Sequence, residues 1–229
     1  MSVIVLVRHG QASFGTGDYD RLSAVGWTQA RLLGSALASC FIKPDLLVCG
    51  DMLRHRETAN ACIEALSHSG APRIDAAWNE YDHEALIAAL RPEWRDPQAM
   101  MQALKSEPDP RRAFQRVFSK AVERWMRGDH DGEYALSWSA FRMRVRAALL
   151  GLHEKLGKGG RACVFTSGGP IAAVAAELLG LDSAHAAQLS WSLVNTGMTR
   201  ILGGDRGLRL GTLNEHAHLE HDLELITYR

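Results

Sequence analysis

Val3 to Val7 is an apolar run, four of its five residues β-branched, and it leads straight into Arg8, His9 and Gly10. A buried strand that ends on a cation beside an imidazole and then releases the chain on a glycine is set up to present a nucleophile. Three further segments carry residues suited to the same chemistry. "GDMLRHRETA" follows a second apolar run and opens a helix with Arg54; "WNEYDHE" holds Glu80 and Asp82; "FTSGGPI" ends an apolar run on Ser167 and a glycine pair. Arginine grips phosphate oxygens with a planar fork of donors, and a helix N-terminus adds unpaired N–H groups and a positive dipole end. With a phosphoryl group so held, an imidazole nitrogen can attack phosphorus and a carboxylic acid can protonate the leaving oxygen. Arg8 next to His9 disfavours the imidazolium and keeps a lone pair available. Gly10 is expected to let backbone approach the phosphate.

These segments need a frame that gathers strand ends. Short apolar runs alternate with longer amphipathic ones: Val3–Val7, a helix in "GWTQARLLGSALASCF", a strand in "PDLLVCG", and a helix in "RHRETANACIEALSHSG" stopped by Gly70. "RIDAAW" reads as a weaker strand, "RACVFTS" as a fourth, and "PIAAVAAELLG" as a helix with Pro170 in its first turn and Gly180 at its end. "MTRILGGDRGLRLGTLN" reads as a hairpin, and a helix spans Ser137 to Leu156. The pattern predicts an α/β fold, a three-layer α/β/α sandwich around a mainly parallel sheet with an antiparallel edge. Ligands in such sheets bind outside the carboxyl ends of the strands, where all four segments lie.

The alternation stops between Asp82 and Tyr134, which holds no convincing strand and four of the seven prolines. Phe114, Val117, Phe118, Ala121, Val122 and Trp125 share one helical face there. The 229 residues are expected to form a single domain, 1–229, with a helical lid insertion at about 82–136 over the active site.

Composition excludes several classes. Twenty-six basic residues balance 26 acidic ones, so the excess that drives nucleic-acid or membrane-surface binding is missing. Cys40, Cys49, Cys62 and Cys163 form no CxxC pair and sit in apolar stretches, as buried thiols in a reducing compartment would. "MSVIVLV" has no basic n-region and is too short to span a bilayer. A soluble, cytoplasmic protein is expected.

"LVRHGQAS", "LSAVGWTQARLLG", "LRHRETA", "WNEYDHE" and "FTSGGPI", in that order over nearly the whole chain, resemble the histidine phosphatase superfamily, the phosphoglycerate-mutase-like fold. The resemblance implies that His9 is the nucleophile that becomes a phosphohistidine, Arg8 and Arg54 the phosphate-binding arginines, and Glu80 the proton donor. Asp82 and Glu84 lie close enough to compete for that last role, with motif position favouring Glu80. Gly10, Gln11, Ser13, Ser167 and Gly168 are the candidates for the rest of the substrate cradle. The resemblance implies no metal and no organic cofactor, and a small phosphorylated metabolite or a phosphoprotein as substrate.

Two departures stand out. His55 follows Arg54 where the family usually has alanine, and Ser167 stands where it usually has a second histidine. A serine can still donate one hydrogen bond but carries no charge. Losing one such donor costs ~3 kcal/mol, or ~10²–10³ in rate, a handicap against enzymatic accelerations of at least ~10⁶. Ser167 is no nucleophile of its own, since a GxSxG elbow is absent. His218, from the C-terminal "NEHAHLEH", could swing in to replace the missing histidine; a metal site on His216, His218 and His221 has no paired acidic or cysteine ligands behind it. The expected activity is a phosphatase acting on a phosphate monoester. A weak or inactive phosphate-ligand-binding protein is the alternative, and a mutase ranks lower because the 82–134 insert holds nine Lys/Arg against ten Asp/Glu.

Overall fold

The computed structural model of the chain describes residues 1–13, 20–39 and 43–228. Cys40 and the end of the helix expected to reach Phe41 lie outside them. Six strands form one sheet in the order β3-β2-β4-β1-β5-β6: β1 Ser2–Arg8, β2 Leu46–Cys49, β3 Arg73–Ile74, β4 Arg161–Thr166, β5 Met198–Gly204 and β6 Gly207–Glu215. The β1–β4, β4–β2 and β2–β3 pairs are parallel, while β5 runs antiparallel to β1 and to β6. The fold is therefore α/β with a mixed sheet and an antiparallel hairpin edge.

The unbroken apolar run of β1 is explained by burial on both faces. Ile4 and Leu6 join Val164 of β4 and Val48 of β2 in one core; Val5 and Val7 join Cys163, Phe165, Leu47 and Cys49 in the other. The second core is closed by α1 (Ala24–Ser39) and α2 (Leu53–Ala65), through Leu33, Leu37, Ala59 and Cys62. The first is closed by α3 (His83–Leu90), α5 (Pro110–Arg127), α6 (Trp138–Leu156), α7 (Gly168–Leu179) and α8 (Ser183–Ser192). A further helix, α4 (Pro97–Lys105), lies between α3 and α5 in sequence. The first core includes Trp125, Trp138 and Phe141, whose rings meet at 5.2–5.6 Å between centroids.

Three expectations need correction. The third strand shrinks to Arg73–Ile74, because the Asp75 side chain accepts from Ala77 N–H and turns the chain into a 3₁₀ turn at Ala76–Trp78. α2 stops at Ala65 rather than at Gly70; Ser67 takes a left-handed φ of 54°, and the His68 ring accepts the Gly70 amide. α8 went unread in the sequence, although Asp182 caps it by accepting from His185 N–H.

Between 82 and 136 the described residues hold α3, α4, α5 and 3₁₀ turns, with no strand. Asp82, Asp96 and Asp109 cap the three helices. On α5, Ala121, Val122 and Trp125 are buried in the core and Phe114, Val117 and Phe118 pack against it, the face expected from the spacing. Phe118 reaches His83 on α3 and Trp191 on α8, with ring centroids 6.0 and 5.1 Å away. No helix of the described residues is long and apolar enough to cross a membrane.

Candidate active site

β1 and β4 lie side by side at the centre of the sheet, so Arg8-His9 and Ser167-Gly168 leave it together. Arg8 pairs in register with Thr166, and His9 N–H donates to the Thr166 carbonyl at 2.8 Å. From the other side, Asn195 Nδ2 donates to the His9 carbonyl at 3.0 Å and Thr196 N–H to the Arg8 carbonyl at 3.0 Å. Both flanks of the His9 backbone are thus held by buried groups, which fixes where the side chain can start.

The tautomer of His9 follows from its contact. Nδ1 lies 2.7 Å from the Gly10 carbonyl, an acceptor with no proton to give, so Nδ1 carries the hydrogen. Burial, then Arg54, then Arg8 and His55, hold the imidazole well below its usual pKa. A neutral ring protonated on Nδ1 leaves the Nε2 lone pair available. The sequence reading credited Arg8 with this effect; desolvation and Arg54 contribute more.

Close packing requires a glycine at position 10. A Cβ there would stand 2.6 Å from the Gly26 carbonyl of α1, and one on Gly26 would stand 2.2 Å from the Gln11 carbonyl. The two glycines let α1 pack against the exit of β1. The Gly10 amide donates to Thr58 Oγ1 at 3.0 Å, and Thr58 donates to the Arg54 carbonyl at 2.7 Å. Through one hydroxyl, the segment carrying His9 is tied to the helix carrying Arg54.

Arg54 occupies the first turn of α2 and is 5 % exposed. Asp20 Oδ1 takes Nη1 at 2.7 Å, while Oδ2 accepts the Leu53 amide at 2.7 Å. One carboxylate thus orients the guanidinium and supplies the cap that Met52, at the N-cap, cannot. Arg56, on the opposite side, is exposed and pairs with Asp51 at 3.3 Å. Arg8 turns along α7: Nη1 donates to the Leu193 carbonyl, and a Cβ on Gly168 would lie 3.8 Å from Nε.

Glu80 follows the 3₁₀ turn that Thr166 anchors by donating to the Trp78 carbonyl at 2.6 Å. Its Oε2 accepts the Gly169 amide at 3.0 Å and its Oε1 the Tyr81 amide at 3.2 Å. Burial raises its carboxyl pKa, against the pull of Gly169, Arg54, Tyr81 and Arg8. Asp82 and Glu84 are exposed, and Asp82 is engaged as the cap of α3. Arg54 acts electrostatically on His9, His55, Glu80 and His83, and Arg8 on His9 and Glu80. The structure therefore brings His9, Arg8, Arg54 and Glu80 to one site.

At the end of β4, Ser167 and His55 are fully buried, and His55 Nε2 lies 2.6 Å from Ser167 Oγ. The His55 ring stands 5.7 Å from that of His9, between centroids. The two departures noted in the sequence are one contact in space. Nothing in the spacing of positions 112 apart announces it.

The remaining candidates are placed differently. The Gln11 amide donates to Gln29 Oε1 at 2.8 Å, and its own Oε1 accepts from Ser23 at 2.7 Å. The Ser13 amide pairs with the Arg21 carbonyl at 2.8 Å. His218 Nε2 meets Thr196 Oγ1 at 3.0 Å, and burial, His216 and His221 bring its pKa down to about 4. His55, not His218, is the imidazole against Ser167. Among the described residues, no group of three His, Cys, Asp or Glu could hold a metal. Cys49, Cys62 and Cys163 are buried thiols, the first two pushed up to about 11 and about 12 by burial. Asp20, Thr58 and Asn195 escaped the sequence reading because each acts through a partner remote in the chain.

An α/β sheet whose rim gathers an imidazole, two arginines and a carboxyl is a frame suited to phosphoryl groups. The model of the histidine phosphatase superfamily (branch 1) matches residues 4–216, and the chain belongs to that family. No curated protein sequence matches the chain. Among solved structures, a phosphoserine phosphatase from Entamoeba histolytica in complex with phosphoserine superposes with a TM-score of 0.68 at 16% identity, covering 96% of this chain and 100% of that one. A phosphoglycerate mutase from Bacillus anthracis gives 0.68 at 17%, covering 96% and 95%. A mycobacterial glucosyl-3-phosphoglycerate phosphatase with inorganic phosphate gives 0.60 at 23%, covering 94% and 98%. The three share the fold of this chain.

Proposed function

We propose that the protein is a phosphatase that hydrolyses a phosphate monoester through a phosphohistidine on His9. The observation that carries this reading is the state of His9: a neutral ring with its proton on Nδ1, beside two arginines and a carboxyl whose pKa burial raises.

In the first step the Nε2 lone pair attacks phosphorus, and the ester P–O bond breaks with its electron pair going to the leaving oxygen. Glu80, as the acid, gives that oxygen its proton. The ring becomes cationic, and the Gly10 carbonyl already accepts its Nδ1–H. In the second step the Glu80 carboxylate takes a proton from water, the water oxygen attacks phosphorus, and the P–N pair returns to Nε2. Arg8 and Arg54 neutralise charge on the transferring group. Because Pro170 has no N–H and the Gly169 amide goes to Glu80, the Gly168 amide is the donor that α7 offers the phosphate.

α3 and α5 then serve as the lid over the leaving group, with His83 near Arg54. A small phosphorylated metabolite suits this enclosure; the relatives named above carry phosphoserine or phosphoglycerate chemistry in their names. Hydrolysis is favoured over mutase activity because the insert is balanced in charge, with nine Lys/Arg and ten Asp/Glu over 82–134. The test is turnover of p-nitrophenyl phosphate by wild type and His9→Ala, with acid-quenched protein analysed for phosphohistidine by ³¹P NMR. Turnover and phosphohistidine that both vanish with His9→Ala are expected. Equal turnover by the two proteins would sink the reading.

A further inference from the structure

Ser167 is the N-cap residue of α7, yet its side chain does not cap the helix. The reason is local: its usual partners would be the amides two and three positions on, but Gly169 N–H goes to Glu80 and Pro170 has none. Capping therefore does not account for a serine here. What its hydroxyl meets is His55 Nε2, at 2.6 Å, from a helix on the far side of β4.

The protons in this pair can be assigned. Burial, then Arg54, keep His55 neutral, so the ring has one N–H. Its Nδ1 is buried with no hydrogen-bond partner. A proton on Nδ1 would be an orphaned buried donor, which is rarer and costlier than an orphaned acceptor. The proton therefore sits on Nε2 and is donated to Ser167 Oγ. That occupies an acceptor site on the serine and leaves its O–H to donate elsewhere, at the mouth of the strand that adjoins His9. Gly50 makes room for the ring: a Cβ there would stand 2.2 Å from Nδ1 and 2.8 Å from Asn79 Oδ1. Gly50, His55 and Ser167 fit as a set.

We propose that His55 is a positioning residue for phosphoryl transfer: its Nε2–H holds the Ser167 hydroxyl so that the hydroxyl proton points at the transferring phosphoryl group. The imidazole thus acts through a serine, and the two residues together make one polarised donor beside His9. This rests on the phosphatase reading above. A donor aimed at developing charge is worth about 10²–10³ in rate when removed, and the loss falls on kcat when the contact strengthens in the transition state.

The experiment measures kcat and KM for p-nitrophenyl phosphate, orthovanadate affinity by calorimetry, and thermal midpoint. The proteins are wild type, His55→Leu, Ser167→Ala, their double variant, His55→Gln, His55→Ala, and His55→Ala combined with Ser167→His. His55→Leu and Ser167→Ala should each lower kcat by about 10²-fold with KM changed only a few-fold, and the double variant should be no worse than the poorer single one. His55→Gln, which keeps an N–H near the Nε2 position, should recover part of the loss. Moving the imidazole to position 167 should raise kcat above that of His55→Ala, which a purely structural role for His55 would not allow. Orthovanadate affinity should fall with kcat. A folded His55→Leu protein that keeps wild-type kcat and orthovanadate affinity would overturn the proposal, as would losses that multiply in the double variant. Failure of the phosphatase reading looks different: wild type itself would show no His9-dependent turnover, and orthovanadate affinity would then decide the role of His55.

Discussion

The Glu80 carboxylate and the Gly169 backbone are in direct contact: the amide donates to Oε2 at 3.0 Å, and a Cβ on residue 169 would stand 2.0 Å from Oε1. The glycine at the start of α7 is therefore the seat of the proposed acid. Gly169→Ala should push the carboxylate aside and also press on the buried Tyr81 ring, whose Cε1 would lie 2.8 Å from the added Cβ. Expected is a loss of kcat of about 10-fold or more, with a thermal midpoint lowered by the contact with Tyr81. A midpoint that collapses with activity would show that backbone, not the carboxylate, had given way.

Glu80→Gln removes the transferable proton but keeps the shape. The loss should depend on the leaving group. An alkyl phosphate, whose alkoxide needs the proton, should lose about 10²–10⁴ in kcat, and p-nitrophenyl phosphate far less. Equal losses on both substrates would assign Glu80 a positioning role instead.

Thr58→Val tests the tie between the segments that carry His9 and Arg54. It leaves the buried Gly10 amide unpaired, which should cost about 1–3 kcal/mol, measurable as a lowered urea midpoint. Activity should fall as well, since the same hydroxyl joins His9's segment to Arg54's helix. Unchanged stability would mean that the amide finds another acceptor.

Acid should destabilise the protein before its carboxylates are the cause. His9, His55, His83 and His218 all have folded pKa values below the unfolded value near 6.5. The native state then binds fewer protons than the unfolded state, so this stabilisation is complete above about pH 6.5 and is lost as pH falls. For His218 the loss runs from about 6.5 to about 4. Glu80, whose carboxyl is raised above the usual carboxylate range, works in the opposite direction, one group against four. Urea midpoints should drop between pH 7 and 5, and less so in His55→Gln. A flat profile would contradict the buried neutral imidazoles.

The chemistry-bearing strand ends could be read without coordinates, because β-branched runs, helix-opening arginines and glycine pairs are local signals. Arg8, His9 and Arg54 are candidates on such signals, Glu80 is set apart from Asp82 and Glu84 by the family resemblance, and the sandwich with its hairpin edge follows from the alternation of periods. The face of α5 likewise followed from a 3.6-residue spacing. Element ends read less well. β3 and the end of α2 depend on the Asp75 and His68 side chains, whose choice of backbone partner leaves no trace in a hydropathy pattern.

What only the tertiary structure decided is which remote residues meet. The contact of Gly10 with Gly26 is one such meeting, because the helix it touches is brought there by the whole second core. His55 and Ser167 looked like two separate losses of a family pattern. They lie across the end of β4 from each other, and their pairing needs β4 to run between α2 and α7. Sequence records which groups a chain owns; the distances over which their hydrogen bonds and charges act exist only after the strands have been set side by side.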